Sequence, residues 1–99
     1  MSLESKEWGK RAEQLAADLL ICKGYFIRER NFRMGHLEID IIAQKGTTVC
    51  FIEVKARNGK NEDPLDAVDK NKVRRIVKVA DSYMRSLDYD MDCRFDIIT

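Results

Sequence analysis

Apolar residues recur at three- and four-residue intervals through the first quarter of the chain. Trp8, Ala12, Leu15, Ala16, Leu19 and Cys22 fall on one helical stripe, which predicts a long amphipathic helix buried along that stripe. Gly24, just past Lys23, is a natural left-handed stop for it. Tyr25-Phe26-Ile27 then opens a strand that runs into the polar residues 28–31. Residues 37–42 alternate apolar with acidic side chains, and residues 49–54 are apolar except for Glu53. The short link Gln44-Lys45-Gly46-Thr47 predicts a hairpin between them, and the second strand, apolar on both faces, should be central in its sheet. Residues 57–64 hold Gly59 and the only proline and read as a loop. A second helix is expected from about residue 69 to 87, capped by Asp69, with Val73, Ile76, Val77, Ala80, Met84 and Leu87 buried. An acidic turn and a last strand over residues 93–99 complete the order α-β-β-β-α-β, an α/β class.

The hairpin carries the chemistry. Residues opposite one another on paired strands share a face, and so do alternate residues along one strand. Keeping Leu37, Ile39 and Ile41 with Cys50, Ile52 and Val54 makes one face apolar. The other then receives His36, Glu38 and Asp40 with Phe51, Glu53 and Lys55, and a slip of one residue would mix acids into the apolar face. Two carboxylates about 5 Å apart repel by roughly 3 kcal/mol at an effective dielectric of 20. A cation relieves this, and hard oxygen ligands suit Mg²⁺ or Mn²⁺. Such a centre supports phosphodiester hydrolysis, with Lys55 positioning water or stabilising developing negative charge. A cross-strand ion pair of Glu38 or Asp40 with Lys55, worth about 0.2–1 kcal/mol, accounts for the same pattern and stays open.

Charge and composition narrow the classes. The chain has 99 residues, 44% hydrophobic and 35% charged, with 18 basic against 17 acidic side chains for a net charge of +1. Chain entropy of about 1.5 kcal/mol per ordered residue requires one core, so a single domain over residues 1–99 is expected. Near-neutrality excludes nucleic-acid binding by uniform bulk charge. No apolar run exceeds four residues, so the sequence shows neither a membrane span nor a secretory segment. Cys22, Cys50 and Cys93 have no redox-pair or zinc spacing and are expected to be buried free thiols in a reducing cytoplasm. Locally, residues 70–78 carry five basic side chains and no acid, a stretch suited to a phosphate backbone or to an ordinary solvated helix face. Within it Lys72 borders the apolar stripe, while Arg74, Arg75 and Lys78 lie outside. Glu13 sits at the edge of the first helix's stripe near Gly9 and Ala16, where it either approaches the sheet or remains a surface glutamate. His36 is expected in a turn and Trp8 in the core.

Several segments then recur in a familiar order: Gly9 with Ala12-Glu13, Gly24-Tyr25, Arg30-Asn31-Phe32-Arg33, Glu38-Ile39-Asp40-Ile41-Ile42, Phe51-Ile52-Glu53-Val54-Lys55-Ala56-Arg57, Pro64-Leu65 with Ala67-Val68 and Lys72, and Arg94-Phe95-Asp96. Together they resemble the YraN-like family, bacterial proteins of uncertain function with a restriction-endonuclease-like fold. The resemblance covers essentially the whole chain, and archaeal Holliday junction resolvases are similar more distantly. It implies a mixed β-sheet flanked by helices and a nuclease centre of the PD-(D/E)xK class. Carried over by position, Asp40 and Glu53 would be ligands of Mg²⁺ or Mn²⁺, Lys55 the catalytic lysine and Glu13 an accessory acid. Two departures stand out. Ile39 precedes Asp40 where many such centres have proline, and family members continue beyond the Arg94-Phe95-Asp96 strand, so a C-terminally truncated chain and strand exchange between copies are expected.

The expected function is therefore a metal-dependent nuclease acting on DNA, including branched or damaged DNA. Lys72, Arg74, Arg75, Lys78 and Arg57 would contact the nucleic acid. The alternative is a non-catalytic nucleic-acid-binding or complex-assembly module on the same fold. A homodimer is an expected partner state, and no membrane partner is expected.

Overall fold

Two helices cover opposite faces of a four-stranded mixed sheet in the computed structural model, which describes residues 3–55, 70–87 and 90–98. Along the chain come α1 (Leu3–Cys22), β1 (Phe26–Met34), β2 (Leu37–Lys45), β3 (Thr48–Val54), α2 (Lys70–Arg85) and β4 (Asp92–Ile98). Their order is the α-β-β-β-α-β expected, and the class is α/β. The strands lie side by side in chain order: β1, β2 and β3 pair antiparallel, and β4 adds parallel to β3. The expected loop over residues 57–64 and the Asp69 cap lie outside the described residues.

Local chemistry explains the joints. At the end of α1, Tyr25 N–H donates to Leu20 C=O and Gly24 N–H to Ile21 C=O, with Gly24 at φ 91°. This paired closure satisfies the last carbonyls and needs a residue that tolerates positive φ. The β2–β3 hairpin closes in two residues, Gly46 at φ 59° followed by Thr47, between the paired Lys45 and Thr48. Glycine at the first central position lets the turn match the twist of its strands. β3 is central, as its continuous apolar run requires, and Val49, Cys50, Phe51 and Ile52 are all but fully buried.

The core splits into two layers. On one side Ala16, Ala17 and Leu20 of α1 pack on Ile41, Ala43, Cys50 and Ile52. On the other Val79 and Tyr83 of α2 pack with Ile39, Ile42, Val49 and Phe51. Tyr83 anchors the second layer by meeting Phe32 and Phe51 edge-on at 5.4 and 5.9 Å, while its hydroxyl accepts a 2.9 Å hydrogen bond from Arg28 Nε.

Both helices are turned relative to the stripes expected from sequence. In α1 the buried residues are Ala16, Ala17 and Leu20, whereas Trp8, Leu15, Leu19, Ile21 and Cys22 are exposed, Leu15 by 69%. Residues 15–22 are apolar nearly all the way round, so periodicity leaves the phase open. Small side chains decide it, because they let the helix backbone come close to a sheet surface made of Ala43 and Cys50. In α2, Ile76, Val79 and Tyr83 are buried, while Val73 and Val77 are exposed. Of the cysteines only Cys50 is buried; Cys22 and Cys93 are exposed free thiols. His36 sits exposed in the β1–β2 turn, as expected.

The α1 phase makes a direct prediction. Ala17→Leu should cost about 1–3 kcal/mol by overpacking, whereas Leu15→Gln should stay within about 0.5 kcal/mol. Denaturant unfolding of the two variants checks it; equal losses would return α1 to the phase expected from sequence.

Candidate functional site

β2 and β3 part company at Asp40. Their ladder runs from Lys45↔Thr48 to Ile41↔Ile52 and stops. At the next step the Asp40 carboxylate, through Oδ2, accepts the Val54 N–H at 2.8 Å. A side chain has taken a place that a main-chain carbonyl would fill in a continued ladder. β3 meanwhile stays bound on its other side: it pairs with β4 as far as Val54↔Ile98, and Lys55 N–H donates to Ile98 C=O at 2.7 Å. The result is a fork, with β2 leaving β3 at an acid and β3 delivering Glu53 and Lys55 just beyond.

This irregularity changes the faces. Leu37, Ile39 and Ile41 were expected on one side, but Leu37 and Ile39 pack in the α2 layer while Ile41 packs under α1. Alternation skips at Asp40, which joins the α1 side and there meets Glu13. Across the β1–β2 pairing, between Arg30↔Ile41 and Phe32↔Ile39, Asn31 has φ 53°, in the left-handed region. Phe51, expected on the acidic face, is buried in the α2 layer. Both faces of the hairpin are helix-covered, so the acids gather at its fork and not along an open face.

The charges around the fork act on one another. Asp40 is half-buried, and burial comes first among the causes that raise its pKa above 3.8. The Val54 N–H opposes this, Glu53 and Glu38 add repulsion, and Lys55 offsets part of it. Glu13, brought in by α1, is likewise raised above 4.5 by burial and by the Asp40 charge, with Arg30 acting against the shift. A hydrogen bond with Asp40 further favours its protonated form. Lys55 Nζ lies 3.3 Å from Glu53 Oε1. With its amide nitrogen turned toward the acids, Asn31 donates to Glu38 Oε1 at 3.0 Å and Glu13 Oε2 at 3.3 Å. Arg33 pairs with Glu38 at 3.0 Å.

Asp40 is thus the link between Glu13 and Glu38 on one hand and Glu53 with Lys55 on the other. Among the described residues, no three His, Cys, Asp or Glu side chains are close enough to hold one ion together. The donor set nonetheless fits a hard divalent cation. Its oxygens are anionic and mutually repelling, and Mg²⁺ is commonly held by one or two carboxylates completed by water.

With that geometry in view, comparison with known proteins places the chain. A family model described as "Uncharacterised protein family UPF0102" matches residues 12–99. The chain belongs to the UPF0102 family. It is 50% identical over 93 residues to the UPF0102 protein of Chlorobium chlorochromatii, covering 93% of this chain and 72% of that relative. It is 46% identical over 97 residues to the UPF0102 protein of Phocaeicola vulgatus, covering 97% and 80%. The YraN-like resemblance read from the motifs points to this same family.

In this UPF0102 chain the residues singled out from sequence divide as follows. Glu13, Asp40, Glu53 and Lys55 are drawn into one electrostatic neighbourhood. Arg74, Arg75 and Lys78 are exposed on α2. Arg57 and the Lys72 side chain lie outside the described residues. Asn31 was missed as a site residue. Its signal was an asparagine in the middle of an otherwise strand-forming stretch, a poor β-former that tolerates positive φ. No helix among the described residues is long and apolar enough to cross a membrane.

The raised pKa values carry a sign. An acid whose pKa is higher folded than unfolded binds more protons in the native state between those two values. It therefore lowers stability as pH rises through that window. Asp40→Asn keeps an acceptor for Val54 N–H, and Glu13→Gln keeps the shape of its side chain. Each should raise the melting temperature at pH 7, and the gain should vanish below the ordinary values of 3.8 and 4.5. Thermal melts across pH 3–8 read this directly; destabilisation by both variants at pH 7 would contradict the repulsion.

Proposed function

We propose that the chain is a metal-dependent nuclease that hydrolyses phosphodiester bonds in DNA, branched or damaged DNA included, on a restriction-endonuclease-like fold. The observation carrying this reading is the fork at Asp40, where the acid that ends the β2–β3 pairing feels the charges of Glu53 on β3 and Lys55 just beyond it. Asp40 and Glu53 would hold Mg²⁺ or Mn²⁺, and Glu13 would serve as the accessory acid. A bound divalent ion would acidify water and neutralise charge on phosphate oxygens. Lys55, 3.3 Å from Glu53, would stabilise negative charge developing on the phosphate. Burial and the Asp40 charge push the pKa of Glu13 upward, in the direction that favours a carboxyl able to carry a proton. A reducing cytoplasm and a homodimeric state complete the reading.

A second reading keeps the fold without turnover, as a nucleic-acid-binding or complex-assembly module. It is favoured by the lack, among the described residues, of three potential ligands within reach of one ion, beside the exposed Arg74, Arg75 and Lys78.

Incubation with Mg²⁺ or Mn²⁺ and branched, single-stranded and duplex DNA separates the two. The nuclease reading expects cleavage that disappears in Asp40→Asn and Glu53→Gln and falls about 10²–10⁴-fold in Lys55→Met. Cleavage that survives both acid substitutions would come from a contaminant. The binding reading expects no cleavage, affinity unchanged by Asp40→Asn, and a salt slope reduced by about 0.9 for each of Arg74, Arg75 and Lys78 that is neutralised.

A further inference from the structure

β1 holds one residue in a backbone conformation that few side chains adopt. Arg30 pairs with Ile41 and Phe32 with Ile39, so Asn31, at φ 53°, stands opposite Asp40 in the register. Successive side chains of an unbroken strand point to opposite faces. Here Arg30 Nη1 donates to Gln14 Oε1 on α1 at 2.9 Å, and the next residue also turns to α1, where the Asn31 amide meets Glu13. Phe32 then packs in the α2 layer. The left-handed step lets two neighbours share the α1 side.

This position makes two demands on its residue. Positive φ favours glycine, asparagine or aspartate. A donor is also needed, because the amide nitrogen donates to Glu38 Oε1 at 3.0 Å and to Glu13 Oε2 at 3.3 Å. Glycine has no side chain and an ionised aspartate has only acceptors, so asparagine alone of the three meets both demands. Each acid is also drawn elsewhere. Arg33 Nε holds the other oxygen of Glu38, Oε2, at 3.0 Å, and the charge of Arg30 acts on Glu13. Like charges on Glu13, Glu38 and Asp40 push the three apart. The Asn31 amide ties one acid from α1 and one from β2 to the same point, with Asp40 hydrogen-bonded to Glu13 beside it.

We propose that Asn31 is a positioning residue of the fork, holding the Glu13 and Glu38 carboxylates around Asp40 in the arrangement that receives a hard divalent cation. Asp40 and Glu53 remain the ligands, and Asn31 acts only through the acids it orients. The inference rests on the metal-site part of the reading above and is independent of catalysis.

Mn²⁺ titration of the full chain without DNA, followed by electron paramagnetic resonance, tests it. Asn31→Gly keeps the left-handed backbone and deletes the amide. It should retain the wild-type circular dichroism spectrum and lose about 10–100-fold in Mn²⁺ affinity. Asn31→Ala, which strains the backbone as well, should lose at least as much. A chain carrying both Glu13→Ala and Glu38→Ala should still bind Mn²⁺ through Asp40 and Glu53. In that background Asn31→Gly should cost no more than about threefold, since its contacts are already gone. Wild-type affinity in Asn31→Gly beside a loss in Asn31→Ala would mean that only the backbone matters and would overturn the proposal. A full loss that persists in the double-alanine chain overturns it too, because Asn31 would then act by another route. A wild-type chain that binds no Mn²⁺ overturns the metal site and this role with it. The expected losses of Mn²⁺ binding in a chain that cuts no DNA support the role of Asn31 and overturn the nuclease reading alone.

Discussion

One hydrogen bond, from Val54 N–H to the Asp40 carboxylate, organises the forked end of the sheet where the candidate site lies. A main-chain acceptor in that place would have continued the hairpin and kept its alternation. The carboxylate ends the ladder instead, satisfies a donor that burial would otherwise penalise, and holds its own charge where Glu13, Glu38 and Glu53 act on it. Structure and electrostatics meet in the same atoms: the group that terminates the pairing is the group whose ionisation is opposed. That opposition makes a cation, or a proton, the natural companion of the fork.

Everything around Asp40 serves to keep the fork open yet defined. β3 cannot follow β2 away because β4 holds it through Lys55 N–H, and α1 reaches the fork because Ala16 and Ala17 let it lie low on the sheet. Asn31 contributes from β1 by accepting a left-handed backbone and offering its amide to acids from two elements. Three elements and one turn of helix thus converge on a site that no single segment could build.

Much of this architecture was legible in the sequence, and the failures share a cause. Element order, the glycine-closed hairpin and the central position of β3 follow from local rules, because turn chemistry and apolar runs act over a few residues. The phase of α1 did not, since Leu15, Leu19 and Cys22 match the same periodicity as Ala16, Ala17 and Leu20, and only contact with the sheet chooses between them. Face parity failed at Asp40 for a related reason. Alternation assumes an unbroken ladder, whereas a side chain able to imitate a carbonyl can break one, and Asn31 across the strand pair permits the break. The candidate acids were found because charge of one sign in neighbouring strands is costly, a property that survives an error in which face they occupy.

The outward turn of α1 leaves the chain's only tryptophan, Trp8, half in solvent near the start of that helix and away from both core layers. Its indole emission consequently watches a helix end and its water, not the packing around Phe51 and Tyr83. An optical signal from this residue would track fraying of one terminus, while the tyrosine that α2 buries is the chromophore placed to register loss of the interior.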